Sequence, residues 1–374
     1  MLFVALLSAL CLTPASAGAA MLYAALGPEL AQYQIDVEGA ALTRRGQVTL
    51  PDNVQYAWPH PSGKFLYVAW SDGSGGKHHG VTAFRIGGSG VLTPLGEAVS
   101  LPSRPVHITV DIAGTHLLAA FNDPIGLSVY GLRPDGAIAG EVKQPAALDF
   151  GIYAHQVRVD PSDRSVILTT RGNGPARGKA EDPGALKVFG YRNGALTNRA
   201  SIAPNRGFGF QPRHLDFHPS ENWVFVSLER QNQLQVYRKR ADGSLDAEPL
   251  FTKNSLASAE GSGQAAGTVH VHPNGRFVYQ ANRSGRAAGE NSIAVYAIDP
   301  STGEPRLIQS AATRGLEPRT FALDPGGRIL AAANQNTRDL ALFRVQPDGK
   351  LDFVRKYDAA LGGGTLFWMG IAGP

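Results

Sequence analysis

A short pattern at strand spacing (apolar, any, apolar, aromatic) occurs seven times along the chain, and no other feature constrains the fold as tightly. The copies are Leu30–Tyr33, Val81–Phe84, Leu127–Tyr130, Leu186–Phe189, Leu234–Tyr237, Ile293–Tyr296 and Leu340–Phe343, the first imperfect because Gln32 takes the second apolar place. Their aromatic positions are 51, 46, 59, 48, 59 and 47 residues apart. After each copy come a turn and another short strand, marked by Gly39, Gly90, Gly136, Gly194, Gly243, Gly303 and Gly349. Glycine there supplies the positive φ that tight hairpins require. A period near fifty with this content is that of a four-stranded propeller blade.

A second repeat, strand–turn–strand, precedes six of the copies. Its turns are His60-Pro61-Ser62-Gly63, Asp160-Pro161-Ser162-Asp163, His218-Pro219-Ser220-Glu221, His272-Pro273-Asn274-Gly275 and Asp324-Pro325-Gly326-Gly327, with Asp111-Ile112-Ala113-Gly114 as a degenerate form. The remaining blade lacks a first strand, because the mature chain starts directly on the second-strand pattern 21–26. The missing strand is expected from the C-terminal segment 364–371. The sequence therefore predicts an all-β, seven-bladed propeller as one domain over residues 21–374, with almost no helix, the ring closed by pairing N- and C-terminal strands in one blade. Two packed β-sandwiches would not produce seven copies in phase.

At the N-terminus, Met1 to Leu12 is a nearly unbroken apolar run followed by Thr13-Pro14 and Ala15-Ser16-Ala17. This matches a secretory signal peptide over 1–17, cut after Ala17, which predicts a periplasmic or secreted protein. The basic start usual for such signals is absent, since no Lys or Arg precedes Arg44. The run is too short to span a bilayer; the alternative is a buried N-terminal strand of a cytoplasmic protein. Cys11, the single cysteine, lies inside the segment. The mature chain is then expected to hold neither a disulfide nor a thiol nucleophile.

In a propeller the first strands line a central channel, so residues at one repeat position form a ring. Counting from the His or Asp that opens each turn, the position five residues earlier reads Gln55, Val106, His155, Arg213, Gly267 and Arg319. Eleven residues later, at the end of the second strand, it reads Ser71, Asn122, Arg171, Glu229, Arg283 and Gln335. Neighbouring positions such as Phe65/Trp223/Phe277 are apolar, so two polar rings point to a site, the alternative being a solvated rim. Arginine is permanently charged and forks onto carboxylate or phosphate. Several around one mouth imply an anionic substrate or a developing oxyanion, with Glu229 ionised among them and His155 placed to transfer a proton. A net charge of +4, from 35 basic and 31 acidic residues, is too balanced for a nucleic-acid protein and fits a small anionic partner better. His270 and His272 lack a third ligand at metal spacing and read as surface or turn histidines. The loops around Lys77-His78-His79, Arg177–Asp182 and Ser284–Asn291 read as solvated insertions, the alternative being that a few of their side chains cover the channel mouth.

The same positions carry a family resemblance. Ala154-His155-Gln156-Val157, Gln211-Pro212-Arg213-His214-Leu215-Asp216, Phe225-Val226-Ser227-Leu228-Glu229, Val278-Tyr279-Gln280-Ala281-Asn282-Arg283 and Glu317-Pro318-Arg319-Thr320-Phe321 resemble the seven-bladed lactonase family. That family includes propeller-type 6-phosphogluconolactonases and fungal carboxymuconate cyclases, and the likeness covers almost the whole mature chain. It implies His155, Arg213, Glu229 and Arg283 as catalytic residues. Beside them, Arg171, Arg319, His214, Gln335 and Asn122 are expected as substrate contacts, and neither a metal nor a cofactor is expected. Where the family often has His-Pro-His, this chain has Tyr153-Ala154-His155, so one substrate contact is lost.

Three functions follow as expectations. The first is hydrolysis of a sugar lactone; because 6-phosphogluconolactone is a cytoplasmic intermediate, an exported member would meet an unphosphorylated lactone such as gluconolactone. The second is cycloisomerisation of a muconate-type diacid on the same arginines, and the third a non-catalytic binding propeller. His155 and Glu229 are both open as the base. The chain is expected to be monomeric, to bind no nucleic acid and, once the signal is removed, no membrane.

Overall fold

In the computed structural model of the chain, residues 20–258, 263–359 and 364–373 are described. The expected signal segment 1–17, with Cys11, lies outside them. Seven antiparallel sheets follow one another along the sequence, six of four strands and one of five. Their innermost strands are Leu366–Ala372, Asn53–Pro59, Pro105–Val110, Ala154–Val159, Pro212–Phe217, Ala265–Val271 and Pro318–Leu323. Each touches the next around a closed ring, so the propeller and its channel stand as expected. All seven aromatic motifs fall in third strands. The only helix among the described residues is a single 3₁₀ turn, Pro204–Gly207.

Ring closure is made by Met21–Leu26, which pairs on one side with Glu29–Asp36 and on the other with Leu366–Ala372. Second strands are buried on both faces because a neighbouring blade covers each side. Phe65–Ser71 and Ile329–Asn334 are accordingly unbroken apolar-rich runs without an exposed residue, whereas outer strands such as Ala41–Thr49 expose alternate or consecutive polar residues. The apolar core is consequently distributed as seven layers, one between each pair of adjacent blades. The channel is left to polar and aromatic side chains.

The conspicuous turn residues tie blades together. His60, His218 and His272 each donate from Nε2 to a glycine carbonyl in the next blade's turn, Gly114, Gly275 and Gly327, at 2.8–2.9 Å. Asp111, Asp160 and Asp324 instead accept amide hydrogen bonds within their own turns. Tyr67 and Tyr279 donate their hydroxyls to Gly136 and Gly349 in the following blade, both at 2.9 Å. Gly349 has φ +84, and a Cβ there would lie 2.3 Å from the Phe277 ring, so no side chain fits.

Two local expectations are corrected. In the first blade the left-handed position falls on Ala40 (φ 45) and not on Gly39, because the Asp36 carboxylate caps the Gly39 amide and moves the tight residue one place on. In the fifth, Gly243-Ser244-Leu245 forms only a single bridge to Lys239, and the outer strand is the later Phe251–Asn254.

Candidate functional site

Every first strand that begins a strand–turn–strand repeat carries a β-bulge at the same place. The pairing skips Gln55, Val106, His155, Arg213, Gly267-Thr268 and Arg319. A bulge re-aims a side chain that the strand pleat would send elsewhere. It lets consecutive residues, such as Arg213 and His214, both serve the channel. In three blades the end of the second strand is tied to this opening: the amides of Arg171, Glu229 and Gln335 donate to the carbonyls of Tyr153, Gln211 and Glu317 at 2.9–3.0 Å. The two polar rings therefore lie at one mouth of the channel.

Glu229 is the centre of that mouth. Its Oε2 accepts from Arg171 Nη1 at 2.9 Å, its Oε1 is bonded to Arg283 Nη2, and Arg213 Nε lies 3.5 Å from Oε1. Arg283 bridges onward through Nη1 to Glu317. Arg171 lies over the Tyr153 ring at 4.1 Å and Arg319 over Phe367 at 4.4 Å. Four guanidiniums thus face two carboxylates, an excess of positive charge in a largely desolvated place. Arg213 Nη1, Arg171 Nε and Arg283 Nε are buried without a hydrogen-bond partner, donors aimed where no protein acceptor stands.

The charges set each other's ionisation. Burial pushes the Glu229 carboxyl up, but Arg213, Arg283, Arg171 and Arg319 together outweigh it and hold it below the ordinary value. Burial, then Arg283, brings Arg319 down to about 10, which leaves it charged at neutrality. For His155, desolvation and then Arg213, Arg319 and Arg171 hold the imidazole well below its usual range. It is neutral at pH 7, and no protein hydrogen bond engages its buried Nδ1.

Below the mouth is a layer of aromatic rings. His155 packs on His214 at 5.1 Å between centroids, His214 on His107 at 6.0 Å, and Tyr56 on His107 at 4.0 Å. Tyr56 also reaches His214, from a blade across the channel, at 6.5 Å. Burial holds His107 and His214 well below the imidazole value, with Arg158 and Arg213 as the next causes, respectively. One layer further down, three consecutive blades contribute Arg158, Asp216 and His270: Arg158 Nη2 lies 3.0 Å from Asp216 Oδ1, and His270 Nδ1 lies 3.5 Å from Asp216 Oδ2.

His155, Arg171, Arg213, Glu229, Arg283 and Arg319 are thus brought together as expected. His214 lies one layer beneath them. Gln335 reaches the mouth with its Oε1 buried and unpaired, while Asn122 ends its strand half-buried without a hydrogen bond to the arginines. His272 is a turn histidine and His270 belongs to the channel floor. Of the insertions, Ser284–Asn291 supports the site: Asn291 Oδ1 accepts the amides of Ser284 and Glu317.

Four residues beside the site carried a weaker signal in sequence. Tyr153 and Glu317 both stand seven residues before the turn, a position that is polar or aromatic in five of six repeats (Asn53, Arg104, Tyr153, Gln211, Ala265, Glu317). His107 and Tyr56 stand four before it, a position a regular strand would turn away from the bulge residue's side.

Comparison with known proteins agrees with this geometry. A family model described as "Lactonase, 7-bladed beta-propeller" matches residues 22–367. A 6-phosphogluconolactonase of Bacillus subtilis is 30% identical over 337 residues, 86% of this chain and 89% of its own. One from Yersinia pestis (strain Pestoides F) is 26% identical over 350 residues, 91% of this chain and 94% of its own. Among solved structures, the periplasmic gluconolactonase PpgL of Pseudomonas aeruginosa superposes with a TM-score of 0.75 at 23% identity, covering 94% of this chain and 99% of that one.

Proposed function

Since the chain belongs to the seven-bladed β-propeller lactonase family, we propose that it hydrolyses a sugar lactone at the guanidinium-lined mouth, with His155 as the base. The observation that carries this reading is the contrast between the two candidate bases. Glu229 is engaged by three guanidiniums and held below the ordinary carboxyl value, so it is a poor proton acceptor and a good anchor. His155 is neutral and unengaged beside them.

In this mechanism the free donors of Arg213, with Arg319, hold the lactone carbonyl oxygen. They stabilise the oxyanion that forms when water adds to the carbonyl carbon, and they are already oriented before the charge appears. His155 takes the proton of the attacking water. As the tetrahedral intermediate collapses, the ring C–O bond breaks and the imidazolium returns its proton to the departing alkoxide. The products are a hydroxyl and a carboxylic acid, which releases one proton to solvent. Arg171 and Arg283, fixed by Glu229, remain for the acidic or hydroxyl substituents.

The named relatives are hydrolases, and no observation favours the muconate-type cycloisomerase. The expected signal segment argues for a periplasmic or secreted enzyme that meets an unphosphorylated aldonolactone, and the printed name of the Pseudomonas relative fits that setting. The test is proton release by the mature protein on glucono-δ-lactone and 6-phosphogluconolactone, with spontaneous hydrolysis subtracted and Arg283→Ala as control. Turnover on either, lost in the variant, is expected. A rate on both equal to the uncatalysed one would overturn the reading.

A further inference from the structure

The lower half of the channel holds a cavity that the lactonase reading leaves unused. Its volume is about 290 Å³, and its walls include Tyr56, Trp58, Phe321, Trp368 and Met369. Tyr56, His107 and His214 form a ring layer on its side of the guanidinium cluster, and none of the cluster's arginines lines it. The lining contains no lysine or arginine. Its acidic residue, Asp324, commits its carboxylate to the amides of Gly326 and Ile329, and Thr320 accepts the Met369 amide. The wall is therefore mostly aromatic, the side-chain oxygens of Asp324, Thr320 and Thr268 being paired with backbone and the Tyr56 hydroxyl and the Trp58 and Trp368 indole nitrogens forming its other polar edges.

His270 adds a ring nitrogen to this lining. Its ring stands edge-on to Phe321 at 5.1 Å, and its Nδ1 faces Asp216 Oδ2 at 3.5 Å. Asp216 is itself fixed by Arg158 and by the Val271 amide, at 3.0 and 2.9 Å. A carboxylate facing Nδ1 keeps the proton on that nitrogen and leaves a lone pair on Nε2, which no protein group engages. The cavity thus offers flat apolar walls and an imidazole acceptor. A pocket near the lower end of the usual size range, mostly apolar with a few convergent polar groups, is the ordinary form of a small-molecule site.

We infer that this compartment is a second binding site, for a small neutral aromatic molecule that carries one hydrogen-bond donor, phenolic or indolic in character. Stacking on Trp58 and Trp368 would hold the ring, and the donor would meet His270 Nε2. The inference does not rest on the lactonase reading, because none of the residues assigned to catalysis lines the cavity.

The test is titration of 5-fluoroindole into the mature protein, read by broadening of its ¹⁹F resonance, alongside the N-methyl derivative, which cannot donate. Saturable binding of 5-fluoroindole is expected, with the N-methyl derivative weaker by about tenfold. His270→Leu should remove the difference between the two probes, Trp58→Leu should weaken both, and Arg283→Ala should change neither. No saturable binding, equal binding of the two probes to the unsubstituted protein, or loss of binding in Arg283→Ala would each overturn the proposal. The comparison of probes needs no variant, so it holds even if a substituted protein fails to fold.

Discussion

Tyr153 and Glu317 occupy the same repeat position in two blades and share the same unusual backbone, with φ of 59 and 60. Each places its side chain on a different arginine of the site, Tyr153 beneath Arg171 and Glu317 against Arg283. Left-handed backbone at residues other than glycine costs roughly 1–3 kcal/mol and gathers where function over-determines the geometry. These two residues orient guanidiniums, and the rest of the blade maintains the strain.

Separating the two contributions gives the first prediction. In Tyr153→Gly the glycine accepts the backbone without strain while the cation–π contact, about 0.5–2 kcal/mol, is lost. Stability is expected to hold within about 1 kcal/mol, and kcat/KM to fall by about three- to thirtyfold. Urea denaturation read beside lactone turnover checks both, and an equal loss of stability and activity would remove the orienting role.

Glu229→Gln leaves Arg171, Arg213 and Arg283 without their shared counter-charge in a buried place. Removing one partner of a buried ion network costs about 3–5 kcal/mol. A clear drop in the urea midpoint is expected together with at least a hundredfold loss of turnover. Retention of the midpoint would show that the arginines find other partners.

Acid sensitivity follows from His107 and His214, whose folded pKa values are depressed by burial. Below the ordinary imidazole value of about 6.5 the unfolded chain takes up protons that the folded one refuses, so stability is full above that pH and declines as pH falls. The two together give a slope of up to about 2.7 kcal/mol per pH unit below 6.5. His107→Gln should halve their joint slope. Denaturation midpoints from pH 7.5 to 5 are the measurement.

Burial and the guanidiniums that keep His155 neutral also place the acid limb of the rate profile. In the unsubstituted enzyme the limb of kcat/KM is expected below pH 6.5, since desolvation, and after it Arg213, Arg319 and Arg171, depress His155. Arg319→Gln removes one positive charge, raises that pKa and should move the limb upward, whatever it does to the plateau. A limb that stays in place would argue that the base is another group.

Between blades, Tyr279→Phe deletes the hydroxyl that donates to the Gly349 carbonyl at 2.9 Å and leaves that buried carbonyl unpaired. A cost of about 1–3 kcal/mol is expected in the urea midpoint, with kcat/KM unchanged. A change in kcat/KM would mean that blade spacing feeds through to the mouth.

The ring and most of the mouth were legible in sequence because periodicity does two things at once. It marks strands, and it aligns equivalent residues such as Arg213 and Arg319 into one column. What escaped was local. The bulges at Val106 and Gln55 break the two-residue alternation on which strand reading depends, so His107 and Tyr56, which a regular strand would turn away, face the channel as well. The left-handed backbone of Tyr153 and Glu317 has no residue signature, since a Tyr or Glu is read as extended by default. The late outer strand Phe251–Asn254 was masked by the glycine turn at Gly243, beyond which only Leu245 bridges back, to Lys239.

Leu366–Ala372 completes the blade begun by Met21–Leu26, and Phe367 within it carries Arg319. That blade is therefore the first to be begun and the last to be closed. Six blades can assemble from neighbouring residues, but the first must wait with one edge bare until residues 366–372 have emerged. A chain stopped before residue 366 has an open seam and an Arg319 without the Phe367 ring, so closure of the propeller and the setting of one site arginine depend on the same strand.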